Sequence, residues 1–132
     1  MEKKKYSRSK YKRNERNIIK EDRPHAHARY VRLSDTKARI VLNKIKGKSV
    51  NEAMALLLYS PRYASDVIYK LLKSAVANAE NNMGLNINDL YVDEVFANQG
   101  PTLKRIRPRA KGMAYRINKK TCHLSIYLEE YL

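Results

Sequence analysis

At 132 residues, with 28 Lys+Arg against 13 Asp+Glu and a formal net charge of +15, the chain is long enough for one domain with a modest core, and its charge calls for a polyanionic partner. No apolar run reaches the about 18 residues of a membrane span, no signal-peptide apolar region opens the chain, and the charge runs lack the apolar anchors or lipidation signal that membrane-surface binding requires. The single cysteine allows no internal disulfide, so the expectation is a cytoplasmic protein in a reducing compartment.

The charge is unevenly placed. Residues 1–24 hold ten basic and four acidic side chains, and they read as a basic extension, disordered until bound. Residues 25–132 then form one domain. A strand is expected from His25 to Leu33, with His25, His27, Arg29, Val31 and Leu33 alternating against Ala26, Ala28, Tyr30 and Arg32.

Ser34 suits the N-cap of a first helix, in which Ala38, Val41, Leu42 and Ile45 keep helical spacing until Gly47 stops it. Ser49 and Glu52 form a capping-box pair for a short second helix whose apolar face is Val50, Ala53, Met54, Leu57 and Leu58. Ser60 as cap and Pro61 at the first helical position open a third helix. Ala64, Val67, Ile68, Leu71, Leu72, Ala75, Val76 and Ala79 carry it to about Asn82, and Met83-Gly84 ends it.

Two strands follow, Leu90 to Ala97 and Thr121 to Leu128. In the second, Cys122, Leu124, Ile126 and Leu128 share one face, opposite Thr121, His123, Ser125 and Tyr127. Between them, residues 98–120 hold eight basic residues and no acidic one. A core cannot take so many unpaired cations, so this segment must leave the body. If the flanking strands pair antiparallel and continue outward, about eleven residues each way give an arm of about 35 Å. Pro108 and Gly112 suit its bend and tip.

With these elements in place, three stretches carry a family resemblance: RYVRLSDTKARIVLNKIKGKSVNEA at 29–53, SAVANAENN at 74–82 and GPTLKRIRPRAKGMAYRINKKTCHLSI at 100–126. The chain resembles the bacterial type of the large-subunit ribosomal protein twenty-two family over nearly all of residues 25–130. The resemblance implies an α+β fold, three helices packed on a small three-stranded antiparallel sheet, with the long basic hairpin 98–120 extending from it. It implies a structural constituent of the large subunit that binds large-subunit rRNA, meets neighbouring ribosomal proteins and supports subunit assembly. Its hairpin would line the nascent-peptide exit tunnel.

By position, the implied rRNA contacts are Lys104, Arg105, Arg107, Arg109, Lys111, Arg116, Lys119 and Lys120 on the arm, and Arg29, Arg32, Lys37 and Arg39 on the body. Lys111, Gly112, Met113 and Tyr115 would form the tip that meets the nascent peptide. Met113 stands where relatives usually carry a basic or polar residue, so no phosphate contact is carried over to it.

Competing chemistry is weak in this sequence. His25 and His27 could supply two metal ligands, but no neighbouring Cys, Asp or Glu cluster completes a site. Cys122 lies on the apolar face of its strand and His123 on the other, which fits a small core residue better than a nucleophile with its base. Without a phosphate-cradling glycine loop or a working carboxylate pair, no enzyme and no cofactor are expected. Tyr6, Tyr11 and Tyr115 sit among basic residues and could stack on bases, Tyr115 alternatively packing in the tunnel wall; Tyr30, Tyr59, Tyr63, Tyr69 and Tyr127 are expected at the core's edge. An architectural DNA-bending protein with Arg107-Pro108-Arg109 as a wedge is the alternative, but such proteins pair through an apolar face that these charge-balanced helices do not offer.

Overall fold

The computed structural model describes residues 23–131; all but the last two residues of the expected basic extension, including Tyr6 and Tyr11, lie outside them. The order of elements is β1 (His25–Val31), α1 (Asp35–Ile45), α2 (Val50–Tyr59), α3 (Tyr63–Met83), β2 (Leu90–Gln99), β3 (Leu103–Pro108), β4 (Ala114–Lys119) and β5 (Cys122–Glu130). This is an α+β fold. A three-stranded sheet runs β1-β5-β2, antiparallel throughout, and β3 and β4 form a separate two-stranded ribbon.

The helices form where the apolar spacing and the caps agree. Ser49 accepts a hydrogen bond from the Glu52 N–H, which starts α2. At the end of α3 Gly84 turns left-handed at φ 66°, its N–H donating to Glu80 O and the Leu85 N–H to Ala79 O, a Schellman closure. The start of α3 differs from expectation: the helix opens at Tyr63, with Arg62 as its extended N-cap, so Ser60 and Pro61 belong to the linker before it. Leu58 is also displaced from its expected burial, since α2 buries only Val50, Ala53 and Leu57 and turns Leu58 to solvent.

The core lies between the helices and one face of the sheet. Leu42 and Ile45 of α1, Leu57 of α2 and Ile68 and Leu72 of α3 meet Val92, Leu124, Ile126 and Leu128 of the strands. Burying side chains of this size contributes about 1.5–3 kcal/mol each before the entropy cost of ordering them. Cys122 belongs to this face, and burial, with the Asp35 carboxylate adding, pushes its thiol up from its ordinary value. A thiol kept protonated inside a core is packing material.

Bulges interrupt β1 and β2. In β1 the register slips between Ala28 and Val31, where Tyr30 takes φ 56°, and the strand ends at Val31 instead of running on to Leu33. Leu33 therefore lies past the strand, in the turn that leads to α1, and is buried there, while Ala26 is buried from the strand itself. The two described residues before β1 are tied to the body: Arg23 pairs with Asp93 at 2.8 Å and the Pro24 carbonyl accepts from the Leu128 N–H.

Candidate nucleic-acid interface

The arm begins at a register change. Gln99 faces Cys122 in the body and Leu103 faces Lys119 in the ribbon, so three residues, Gly100, Pro101 and Thr102, oppose two, Lys120 and Thr121. This is the arithmetic of a bulge, which raises the local twist and ends one sheet before the next. The Gly100 N–H donates to Thr121 O at 2.8 Å, and Thr121 Oγ1 donates to Pro101 O at 2.5 Å. A Cβ on Gly100 would stand 2.6 Å from Thr121 Oγ1, so the close crossing needs glycine. The Arg32 guanidinium donates to Lys120 O and ties the base of the arm to the body.

Beyond the junction every residue of the arm from Leu103 to Lys120 is exposed. Its pairs are Leu103 with Lys119, Lys104 with Asn118, Arg105 with Ile117, Ile106 with Arg116, Arg107 with Tyr115 and Pro108 with Ala114. Two consequences follow from this register. No cation stands directly opposite another, so the ladder avoids the worst like-charge repulsion. And because side chains alternate, Arg105, Arg107 and Lys119 lie on one face while Lys104 and Arg116 lie on the other. Six pairs at about 3.3 Å span about 20 Å. The paired ladder is thus shorter than the about eleven residues each way that the sequence suggested, because the junction and the tip interrupt it.

The tip is a tight reversal. The Arg109 N–H donates to Met113 O at 2.8 Å, and Lys111 and Gly112 both take left-handed conformations, φ 58° and 68°. Met113 is exposed, and the Arg109 guanidinium lies 5.4 Å over the Tyr115 ring. Arg109, Lys111, Gly112, Met113 and Tyr115 are thus brought together at one end.

The expected body contacts divide. Arg29 and Lys37 are exposed. Arg39 is half committed inward, donating to Ala97 O at 3.0 Å and pairing with Asp35 at 3.2 Å, so it braces α1 against β2. Arg32 likewise spends donors on the arm's base. Two further residues stand beside them: Tyr63, expected at the core's edge, is 65% exposed, and Arg62, not singled out from the sequence, is the N-cap of α3. Tyr30 and Tyr59 are exposed as well, whereas Tyr127 is buried. A cation beside an exposed ring was the available signal at Arg62-Tyr63, but the neighbouring proline drew the helix start two residues too early.

The two early histidines are occupied locally. His25 Nδ1 bonds Arg23 O and His27 Nδ1 bonds Ser125 Oγ, each at 2.8 Å. Among the described residues no group of three or more His, Cys, Asp or Glu is placed to hold a metal ion, and no helix is long and apolar enough to cross a membrane.

Comparison with known proteins agrees with this geometry. The family model described as ribosomal protein L22p/L17e matches residues 26–129. A protein of Lachnospira eligens named large ribosomal subunit protein uL22 is 55% identical, the match covering 93% of this chain and 95% of that protein. Its namesakes from Agathobacter rectalis and Clostridium novyi are 56% and 55% identical, over 93% and 80% of this chain and 95% of each relative. Matched along both the packed body and the basic arm, the chain belongs to the ribosomal protein L22p/L17e family.

Proposed function

We propose that the protein is a structural constituent of the large ribosomal subunit, in the cytoplasm, where it binds large-subunit rRNA and supports subunit assembly. The observation that carries this reading is the two-faced charge of the ribbon: Arg105, Arg107 and Lys119 on one side, Lys104 and Arg116 on the other. A ribbon lying on a polyanion's surface needs cations on one face only. One inserted between rRNA segments meets phosphates on both and releases counterions from both. Lys104, Arg105, Arg107, Arg109, Lys111, Arg116, Lys119 and Lys120 are the arm's rRNA contacts, and Arg29, Arg32, Lys37 and Arg39 those of the body. Leu56 and Tyr59, exposed on one side of the end of α2, offer a surface to a neighbouring ribosomal protein. Membership of a ribosomal protein family accords with the absence of any catalytic role.

The arm lines the nascent-peptide exit tunnel, with Lys111, Gly112, Met113 and Tyr115 at the lumen. Charge density falls from Met113 to Tyr115, which suits a wall facing a passing peptide more than a segment wrapped by phosphates. Two experiments test this reading. The protein should cosediment with the large subunit through a high-salt wash; loss into the supernatant while other ribosomal proteins stay bound would remove it from the particle's structural set. A crosslinker at position 113 in ribosomes stalled with a long nascent chain should capture that chain. Capture of rRNA alone would bury the tip and end the tunnel assignment.

A further inference from the structure

At the base of the arm a cavity of about 560 Å³ opens between the N-terminal ends of α1 and α3 and the last residues of the ribbon's return strand. Arg32, Lys37, Arg62 and Lys120 line it, together with Tyr63 and Asn118. Its size falls within the range of about 300–1,000 Å³ in which proteins hold discrete ligands. Among the described residues Lys37, Arg62 and Lys120 have no carboxylate within ion-pair distance, and the nearest acid at the start of α1, Asp35, is taken by Arg39 at 3.2 Å. Neither helix start is closed by a side chain: Ser34 and Arg62, the two N-caps, make no capping hydrogen bond to their first turns. The N–H groups left uncapped there add to the potential of the four cations, offset in part by Asp35 and Asp66 in the two first turns.

We infer that this cleft holds one unstacked nucleotide of large-subunit rRNA, its phosphate among Arg32, Lys37, Arg62 and Lys120 and its base against Tyr63. The inference rests on the ribosomal reading above and adds a recognition site to it. A duplex presents its phosphates on a convex surface and cannot fill a concave pocket, whereas a nucleotide splayed from a loop or bulge can. The Tyr63 ring is 65% exposed beside those cations, which is the arrangement that stacks an extruded base. The Asn118 amide has both a donor and an acceptor for a base edge. Position also matters. Asn118 and Lys120 belong to the arm's return strand and its base, while Lys37, Arg62 and Tyr63 belong to the helices, so a nucleotide here fixes the arm's direction relative to the body.

Large subunits assembled with the wild-type chain, Tyr63→Phe, Tyr63→Ala and Arg62→Gln provide the test, with the rRNA probed by base-specific and 2′-hydroxyl reagents. An unpaired nucleotide should be protected by the wild type and by Tyr63→Phe, and become about fivefold or more reactive with Tyr63→Ala. Arg62→Gln should expose the same nucleotide, more so at raised salt. A photo-crosslinker at position 63 should reach that nucleotide. Unchanged reactivity at every unpaired nucleotide, changes confined to base-paired positions, or capture of a neighbouring protein from position 63 would each overturn the inference. Tyr63 is a surface residue and the arm is untouched in these variants, so they should enter the subunit at wild-type stoichiometry. If even the wild-type chain fails to enter, it is the ribosomal reading that fails.

Discussion

Gly100 and Thr121 show how single residues set the arm's root. An alanine at 100 would force the Thr121 hydroxyl away and break its bond to Pro101 O, at a cost of about 1–2 kcal/mol. Thermal unfolding of Gly100→Ala should therefore begin several degrees lower than that of the native chain, and an unchanged melting temperature would mean the junction has room. Ser65 points the other way. Its hydroxyl is buried in the first turn of α3 with no hydrogen-bond partner among the described residues. Ser65→Ala removes an unsatisfied polar group, so stability should stay level or rise by up to about 1 kcal/mol in a denaturant titration. A clear loss would reveal a partner for the hydroxyl. Both effects escape a reading of the sequence, because Ser65 resembles an ordinary first-turn serine and Gly100 an ordinary turn glycine until their neighbours are placed.

Among the elements, the ribbon formed by β3 and β4 carries the clearest consequence. Its pairing places Arg105 and Arg116 on opposite faces. If rRNA encloses both faces, Arg105→Gln and Arg116→Gln should each lower the slope of log affinity against log salt by about 1, and the double variant by about 2. Binding to large-subunit rRNA across a salt series measures this. Silence of one substitution would mean that only one face is engaged. The presence of this arm was legible from eight cations without an acid between two strand-like segments. Its division into faces was not, because the junction bulge shifts the register by one residue, and a shift of one exchanges the two faces. The strand β1 shows the same limit: its alternation pattern runs to Leu33, yet the slip at Tyr30 ends the strand at Val31.

For the whole molecule, stability should be strongly graded. The helices and the three-stranded sheet share one core, whereas the ribbon is a two-stranded element with every residue exposed and is marginal by itself. Limited trypsin digestion of the free protein should cut between Lys104 and Lys119 before any site within α1 or α3, and rRNA should protect those arm sites. Cutting within α3 at the same rate would contradict a graded structure. The sequence by itself determined the three helices, the buried face of β5, the exposed basic excursion and the family to which they belong, because each is written in local spacing, capping and charge. Only the tertiary structure decided which cations give part of their donors to the body, as Arg32 and Arg39 do, and which stand free of acids around a cleft, as Lys37, Arg62 and Lys120 do. Periodicity assigns a side chain to a face of its own element. Whether that face meets a carbonyl, a carboxylate or open space depends on how elements far apart in the chain are packed, and no local pattern encodes it.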